Sequence, residues 1–154
     1  MGKHLVLGVG NLLLSDEGIG IHAIRRLLET NQLPEDVEIV DGGTAGLSLL
    51  YYLEGVDRLV IIDAVETGLP PGSIVRLAGG QIPAYMALKV SPHEITLPDF
   101  LAAARLRGLY PKEVVVWGMQ PGSLEAGVEL SPALAVQLDS LVGHVVEEFA
   151  RQSG

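Results

Sequence analysis

Acidic residues recur in this chain directly after apolar runs, where short strands are expected to end. Asp16 and Glu17 follow the first run, Asp41 follows the second and Asp63 ends the third. Because parallel strands end at one edge of a sheet, open α/β sheets bind their ligands at that edge. These carboxylates are therefore predicted to lie near one another and to act on a ligand or a substrate.

One histidine can join these carboxylates. His93 lies between Pro92 and Glu94 in a stretch of weak periodicity, whereas the other three histidines lie on predicted helices or at the start of a strand. Glu17, Asp63 and His93 form the one set of histidine and carboxylates that this topology can bring together. Such a set suits a divalent transition metal. A metal site is predicted, with a solvated loop histidine as the simpler alternative.

Asp16 has two interpretations. It can be the N-cap of the first helix, with Glu17 as a first-turn carboxylate favoured by the helix dipole. Yet Gly18 and Gly20 lie in the same turn, where each glycine costs about 0.5–1 kcal/mol relative to alanine. Glycines are useful there if another backbone or a ligand must approach closely. This favours a function for the loop without excluding the cap.

The loop matches a dinucleotide-binding fingerprint only in part. Gly8-Val9-Gly10 follows a strand, but the third glycine is replaced by Leu13. Two carboxylates would also repel a phosphate at this place. The two-histidine helix of zinc proteases, the Gly-x-Ser-x-Gly elbow and the Walker A loop are missing as well.

Composition excludes further classes of protein. The chain has 154 residues, no cysteine and a formal net charge of −9. Without cysteine there are no disulfides, no cysteine nucleophile and no thiolate metal ligands. The negative charge disfavours nucleic-acid binding, which depends on neutralising phosphates. No apolar run of about 18 residues is found, nor a secretory leader, so we expect a cytoplasmic protein that does not bind membranes.

Apolar periodicity predicts the elements that position these residues. Strands are expected at Lys3 to Val9, Val37 to Val40, Arg58 to Asp63 and Val114 to Trp117, with a short edge or antiparallel strand at Ser73 to Leu77. Helices are expected at Gly20 to Leu28, Leu47 to Leu53, Thr96 to Arg107 and Ser131 to Phe149, and a long loop at Ala78 to Glu94. This order predicts a single α/β domain over residues 1–154. We expect a three-layer sandwich, in which helices cover both faces of a mostly parallel twisted sheet of about five strands.

Several motifs of the chain occur together in one known family. They are the loop from Gly8 to Gly20, Asp41-Gly42-Gly43-Thr44-Ala45-Gly46, Ile62-Asp63-Ala64, Ser91-Pro92-His93 and the segment from Gly118 to Pro132. In this order and at compatible spacing, they resemble the nickel–iron hydrogenase maturation endopeptidases. The resemblance covers nearly the whole chain.

The resemblance implies an endopeptidase that removes a C-terminal extension from the hydrogenase large-subunit precursor after nickel insertion. Glu17, Asp63 and His93 match the metal ligands of the family, and the nickel is supplied by the substrate. Other divalent ions are expected to occupy the site in vitro. A weak site suits this role, because an enzyme that kept the nickel would strip its substrate. We expect the enzyme to be a monomer.

Two mechanisms are open at this point. Nickel can act as a Lewis acid on the scissile carbonyl or on a water. Alternatively, nickel only positions the substrate while Asp16 or Asp41 activates water, as in an aspartic-type peptidase. Gly42, Gly43 and Thr44 are expected to contact the substrate.

Two other functions compete with the peptidase. A nickel-delivery chaperone with the same three ligands would bind the precursor and release it uncut. A small-molecule α/β hydrolase or nucleotide-binding domain would be stabilised by its ligand without any precursor.

Overall fold

A computed structural model describes residues 2–43, 46–86 and 97–150 of the chain. Its strands are β1 (Lys3–Val9), β2 (Val37–Gly43), β3 (Val56–Ala64), β4 (Ile74–Ala78) and β5 (Glu113–Met119). They form one sheet in the order β2-β1-β3-β5-β4. Only β4 runs antiparallel, on β5 at the edge, and the other pairs are parallel. The predicted mostly parallel five-stranded sheet is confirmed.

Helices cover both faces of this sheet. They are α1 (Ile19–Thr30), α2 (Gln81–Met86), α3 (Leu97–Leu106), α4 (Pro132–Ala135) and α5 (Leu138–Ala150), with 3₁₀ segments at Ser15–Gly18 and Gly46–Leu53. One apolar core joins the sheet to α1, α4 and α5. The other core joins it to α2, α3 and the second 3₁₀ segment. No helix within the described residues is long and apolar enough to cross a membrane.

Two predicted elements differ from the structure. Part of the predicted long loop is α2, because Ile82 buries its side chain in the core beneath it. The predicted last helix is divided into α4 and α5. It divides there because the Gln137 amide bonds to the Leu134 carbonyl at 3.0 Å, which is a tight 3₁₀-type turn. Residues 87–94 of the predicted loop and Thr96 lie outside the described residues.

A buried ion pair holds α5 on the sheet. The Glu148 carboxylate accepts hydrogen bonds from Arg58 at 2.7 Å, from the Trp117 indole at 3.1 Å and from Arg76. Burial raises the pKa of Glu148, but the bonds to Arg76 and the charge of Arg58 lower it below its usual value. The carboxylate is therefore ionised and fully engaged in the fold.

The first helix lies unusually close to the carboxyl ends of β1 and β3. A Cβ atom at Gly20 would overlap the carbonyl oxygens of Val9 and Ile62. A Cβ atom at Gly8 would overlap the Gly20 carbonyl oxygen in turn. The close approach expected at Gly20 is confirmed, and the approaching group is backbone rather than a ligand.

This packing predicts opposite effects for two helical glycines. Gly20→Ala should lower the free energy of unfolding by about 1–3 kcal/mol, because the methyl group has no space. Gly143→Ala in α5 is the control, because nothing lies within 4 Å of its added Cβ. It should raise stability by about 0.5–1 kcal/mol. Urea unfolding measures both, and equal stabilisation of the two variants would contradict the close approach.

Candidate functional site

The Glu17 backbone and the Asp63 carboxylate both border Gly10, at the carboxyl end of β1. Asp63 is a buried residue of β3, and its Oδ1 accepts the Ala64 amide at 2.8 Å. Glu17 is half-buried in the first 3₁₀ segment. A Cβ atom at Gly10 would overlap the Glu17 carbonyl oxygen and would lie 3.8 Å from Asp63 Oδ1. The Glu17 backbone and the Asp63 carboxylate therefore border the same glycine, at the predicted edge of the sheet.

Gly10 is fixed at this place by its backbone. Its φ of 131° is rarely adopted by residues with a side chain. Its amide donates to the Gly43 carbonyl at 3.0 Å, which ties the loop to the end of β2. Gly42 is buried beside it, and a Cβ there would lie 2.9 Å from the Gly8 carbonyl oxygen. Substrate contact by Gly42 and Gly43 stays a prediction, and Thr44 lies outside the described residues.

The described residues include two of the three predicted metal ligands, Glu17 and Asp63. His93, the third predicted ligand, lies outside them. Within ranges 2–43, 46–86 and 97–150, no three His, Asp or Glu side chains group closely enough to hold a metal ion. The carboxylates of Glu17 and Asp63 are suitable ligands for a divalent ion. Such an ion would need further ligands from His93 or from a bound partner.

Asp41 is not brought to the same side of the sheet as Asp63. Side chains alternate along a strand, so Asp41 lies on the same face of β2 as Ile39, two residues earlier. Ile39 packs in the core that contains α1. In the same way, Asp63 lies on the same face of β3 as Ile61, which packs in the core on the opposite side of the sheet. Asp41 is exposed and pairs with Gly8, so β1 lies between the two aspartates. Its predicted catalytic role stays a prediction.

Asp16 is completely buried and accepts hydrogen bonds from the loop after β5. The amides of Gly122 and Ser123 each donate to Oδ2 at 2.8 Å. The Ser131 amide donates to Oδ1 and the Ser131 hydroxyl to Oδ2, both at 2.7 Å. Neither the 3₁₀ segment nor α1 has a side-chain cap. The N-cap interpretation of Asp16 was therefore wrong, because this carboxylate binds a loop more than a hundred residues away.

The same bonds change the role of Ser131. It occupies the N-cap position of α4, with Pro132 at the start of the helix. Its hydroxyl makes no cap bond and donates to Asp16 instead. A helix begins after Ser131 as expected, but the Ser131 hydroxyl stabilises the long-range contact with Asp16.

The hydrogen bonds around Asp16 favour a positioning role. Burial raises the pKa of Asp16, but the bonds from Ser131, Ser123 and Gly122 outweigh it and lower the pKa below its usual value. A carboxylate with a lowered pKa is a weak base, and these bonds occupy the lone pairs that would accept a proton from water. The catalytic role of Asp16 stays a prediction.

Sequence reasoning missed Gln120, which connects the chain after β3 to the chain after β5. Its buried Oε1 accepts the Thr67 amide at 2.6 Å and the Thr67 hydroxyl at 2.7 Å. Its Nε2 donates to the Glu66 carboxylate at 3.0 Å. The available signal was a polar residue directly after a buried strand, at the edge where Asp63 lies.

Comparison with known proteins identifies the family. The hydrogenase maturation protease family model matches residues 21–148. The hydrogenase 2 maturation protease of Escherichia coli (strain K12) is 40% identical over 151 residues, covering 97% of this chain and 92% of that protein. The chain belongs to the hydrogenase maturation protease family. It is therefore a peptidase of that family.

Other comparisons agree with this family and extend to the fold. The hydrogenase expression/formation protein HupD of Rhodobacter capsulatus is 42% identical over 147 residues, covering 94% of this chain and 70% of that protein. The structure of the E. coli hydrogenase maturating endopeptidase HybD superposes with a TM-score of 0.87 at 39% identity. That match covers 99% of this chain and 94% of the other. The α/β fold of the family therefore extends over the whole site described above.

The Asp16 contacts predict a local loss of order on substitution. Asp16→Asn keeps the shape but replaces one acceptor oxygen with an amide donor, so at least one of the four bonds from the loop is lost. We expect the free energy of unfolding to fall by about 1.5–3 kcal/mol. We also expect faster hydrogen exchange at the amides of Gly122, Ser123 and Ser131.

The control is Asp36→Asn, at an exposed turn residue, which should change stability by less than about 0.5 kcal/mol. Unchanged exchange at all three loop amides in Asp16→Asn would contradict the role assigned to this carboxylate.

Proposed function

We propose that this protein is an endopeptidase that removes the C-terminal extension of a nickel–iron hydrogenase large-subunit precursor. It acts in the cytoplasm as a monomer, after nickel has been inserted into the precursor. The observation that carries the proposal is that the Glu17 backbone and the Asp63 carboxylate border Gly10 in a chain of the hydrogenase maturation protease family. The E. coli relative is named as the maturation protease of hydrogenase 2, and this name supports a substrate of this class.

Nickel on the precursor is the recognition signal in this proposal. Glu17, Asp63 and His93 would supply carboxylate and imidazole ligands, which nickel accepts. Three ligands from the protease leave positions for the ligands of the precursor itself. A precursor without nickel offers no ion for these residues to bind, so the extension is kept until the metal is present.

The geometry favours nickel over a carboxylate as the group that activates cleavage. Asp16 is a weak base with its oxygens engaged in hydrogen bonds. Asp41 is exposed and lies on the other face of the sheet from Asp63. Nickel held by the substrate can polarise the scissile carbonyl or a water as a Lewis acid. Gly42, Gly43 and Thr44 would then contact the extension.

Substitution of single side chains tests this proposal. Glu17→Gln, Asp63→Asn and His93→Gln should each slow cleavage by at least about 100-fold, because each removes a nickel ligand. Asp41→Asn is the matched control and should cleave within a few-fold of wild type. Mass spectrometry of the C-terminus of a purified, nickel-loaded precursor measures each rate.

Three results would contradict parts of the proposal. Wild-type protein that binds the loaded precursor and releases it uncut would support the nickel-delivery chaperone instead. Loss of cleavage in Asp41→Asn, with binding retained, would support the carboxylate-base mechanism. Equal cleavage of nickel-free precursor would remove nickel from recognition.

A further inference from the structure

A group of large apolar side chains is exposed beside the site. Leu13 is 65% exposed, Leu14 37%, Leu124 54% and Val128 57%. Single exposed apolar residues are ordinary on protein surfaces, whereas contiguous ones mark interaction sites. These four residues lie on two segments of the chain, before α1 and after β5.

The two segments that carry these residues are joined by backbone hydrogen bonds. The Gly127 amide donates to the Leu13 carbonyl at 2.9 Å, and the Ser15 amide donates to the Gly127 carbonyl at 2.8 Å. Leu14 and Gly127 form a parallel bridge. Backbones paired in this way lie about 4.8 Å apart. Leu13, Leu14 and Val128 are therefore carried by neighbouring backbones, and the bond from the Asp16 amide to the Ser123 carbonyl brings the backbone of Leu124 beside them. These four residues are called the apolar patch below.

The apolar patch is continuous with the proposed metal site. The Glu17 amide donates to the Leu14 carbonyl at 3.1 Å, so the patch begins within one turn of a proposed nickel ligand. The Asp16 amide donates to the Ser123 carbonyl at 3.1 Å, next to Leu124. A protein bound at the metal site would therefore lie over the patch as well.

The patch is held in place before any partner binds. The buried carboxylate of Asp16 bonds to Gly122, Ser123 and Ser131, and the Ser15 hydroxyl donates to the Glu125 carbonyl at 2.6 Å. A preformed surface avoids part of the entropy cost of ordering a loop on binding. The polar contacts beneath the patch thus leave its leucines available to a partner.

Negative charge borders the patch. Glu125 and Glu129 are exposed in the same loop, in a chain with a net charge of −9. Complementary charges guide encounter and set orientation in protein–protein interfaces. The surface that fits here is apolar at its centre and carries Lys or Arg at its margin.

We propose that the apolar patch is the docking surface for the body of the large-subunit precursor, and that it receives an apolar area of the precursor flanked by basic residues. This inference rests on the proposed function, because the substrate there is a folded protein. Contacts that stabilise the bound precursor and the transition state equally change KM and leave kcat unaltered. This separates the patch from the nickel ligands, whose loss lowers kcat.

Polar substitution of the patch tests the proposal. Leu13→Ser combined with Leu124→Ser should raise the Kd for purified, nickel-loaded precursor at least about tenfold, equivalent to about 1.4 kcal/mol. The cleavage rate at saturating protease should stay within twofold of wild type. Leu28→Ser combined with Leu106→Ser is the control, because these residues are 59% and 89% exposed on α1 and α3. The control should leave Kd and rate unchanged.

Charge reversal tests the margin. Glu125→Lys combined with Glu129→Lys should weaken precursor binding, and the effect should shrink at high salt because exposed charges are screened. Tighter binding by this variant would overturn the basic margin of the partner. Unchanged Kd in the leucine variant, with wild-type cleavage intact, would overturn the patch while the proposed function stands. Absence of wild-type cleavage would overturn the proposed function, and the Kd values would still decide the patch.

The patch could instead join two copies of this chain. Sedimentation of the wild type distinguishes the two occupants. A dimer that the leucine variant converts to a monomer would overturn the precursor as the occupant.

Discussion

The site depends on how closely backbone can approach backbone where β1 and β3 end. Gly8 and Gly20 let α1 begin directly on these strand ends, and Gly10 accommodates the Glu17 carbonyl. With any larger residue at these places, the 3₁₀ segment would move outward and carry Glu17 with it. The carboxylate of Asp63 is fixed in a buried strand and cannot follow. Steric exclusion at three glycines therefore sets the spacing of the proposed ligands.

Two adjacent carboxylates in this loop lie in different environments. Asp16 is directed inward, where amide and hydroxyl donors surround it and keep it ionised. Glu17 is half-buried at the edge of the sheet, and its carbonyl borders Gly10, as the Asp63 carboxylate does. A buried carboxylate is stable only when its oxygens are hydrogen-bonded. Asp16 thus holds the loop after β5 in place, and the loop in turn supports the apolar patch beside Glu17.

Much of the fold could be predicted because it follows from local patterns. The buried parallel strands are continuous apolar runs, and the bounds of β1 agree with the apolar run that predicted it. The antiparallel edge strand was also expected, after the turn at Leu69 to Gly72. The short helix α2 was missed because it has only six residues and contains Pro83. A segment so short shows little periodicity, and it becomes a helix because Ile82 is buried against the rest of the fold.

Strand ends meet at one edge of the sheet, and the Glu17 carbonyl and the Asp63 carboxylate both border Gly10 there. A metal shared by the two carboxylates stays a prediction. The opposite faces of Asp41 and Asp63 could not be predicted. Strands buried on both sides are apolar throughout, so their pattern does not say which side faces which helices. The partners of Asp16 were also inaccessible, because Gly122 and Ser131 lie more than a hundred residues away in sequence. The hydrogen bonds of Gln120 and Glu148 also join residues that are distant in sequence, so they could not be predicted either.

The central claim is that Glu17 and Asp63 bind nickel carried by the precursor. X-ray absorption at the nickel edge tests it directly, with nickel-loaded precursor alone and then mixed with the protease and frozen before cleavage. The account predicts that the protease adds oxygen or nitrogen ligands to nickel at about 2.0–2.2 Å, the range of carboxylate and imidazole bonds to comparable divalent metals. It predicts fewer added ligands with Glu17→Gln and with Asp63→Asn. A nickel spectrum unchanged by the wild-type protease, under conditions in which cleavage follows, would contradict it.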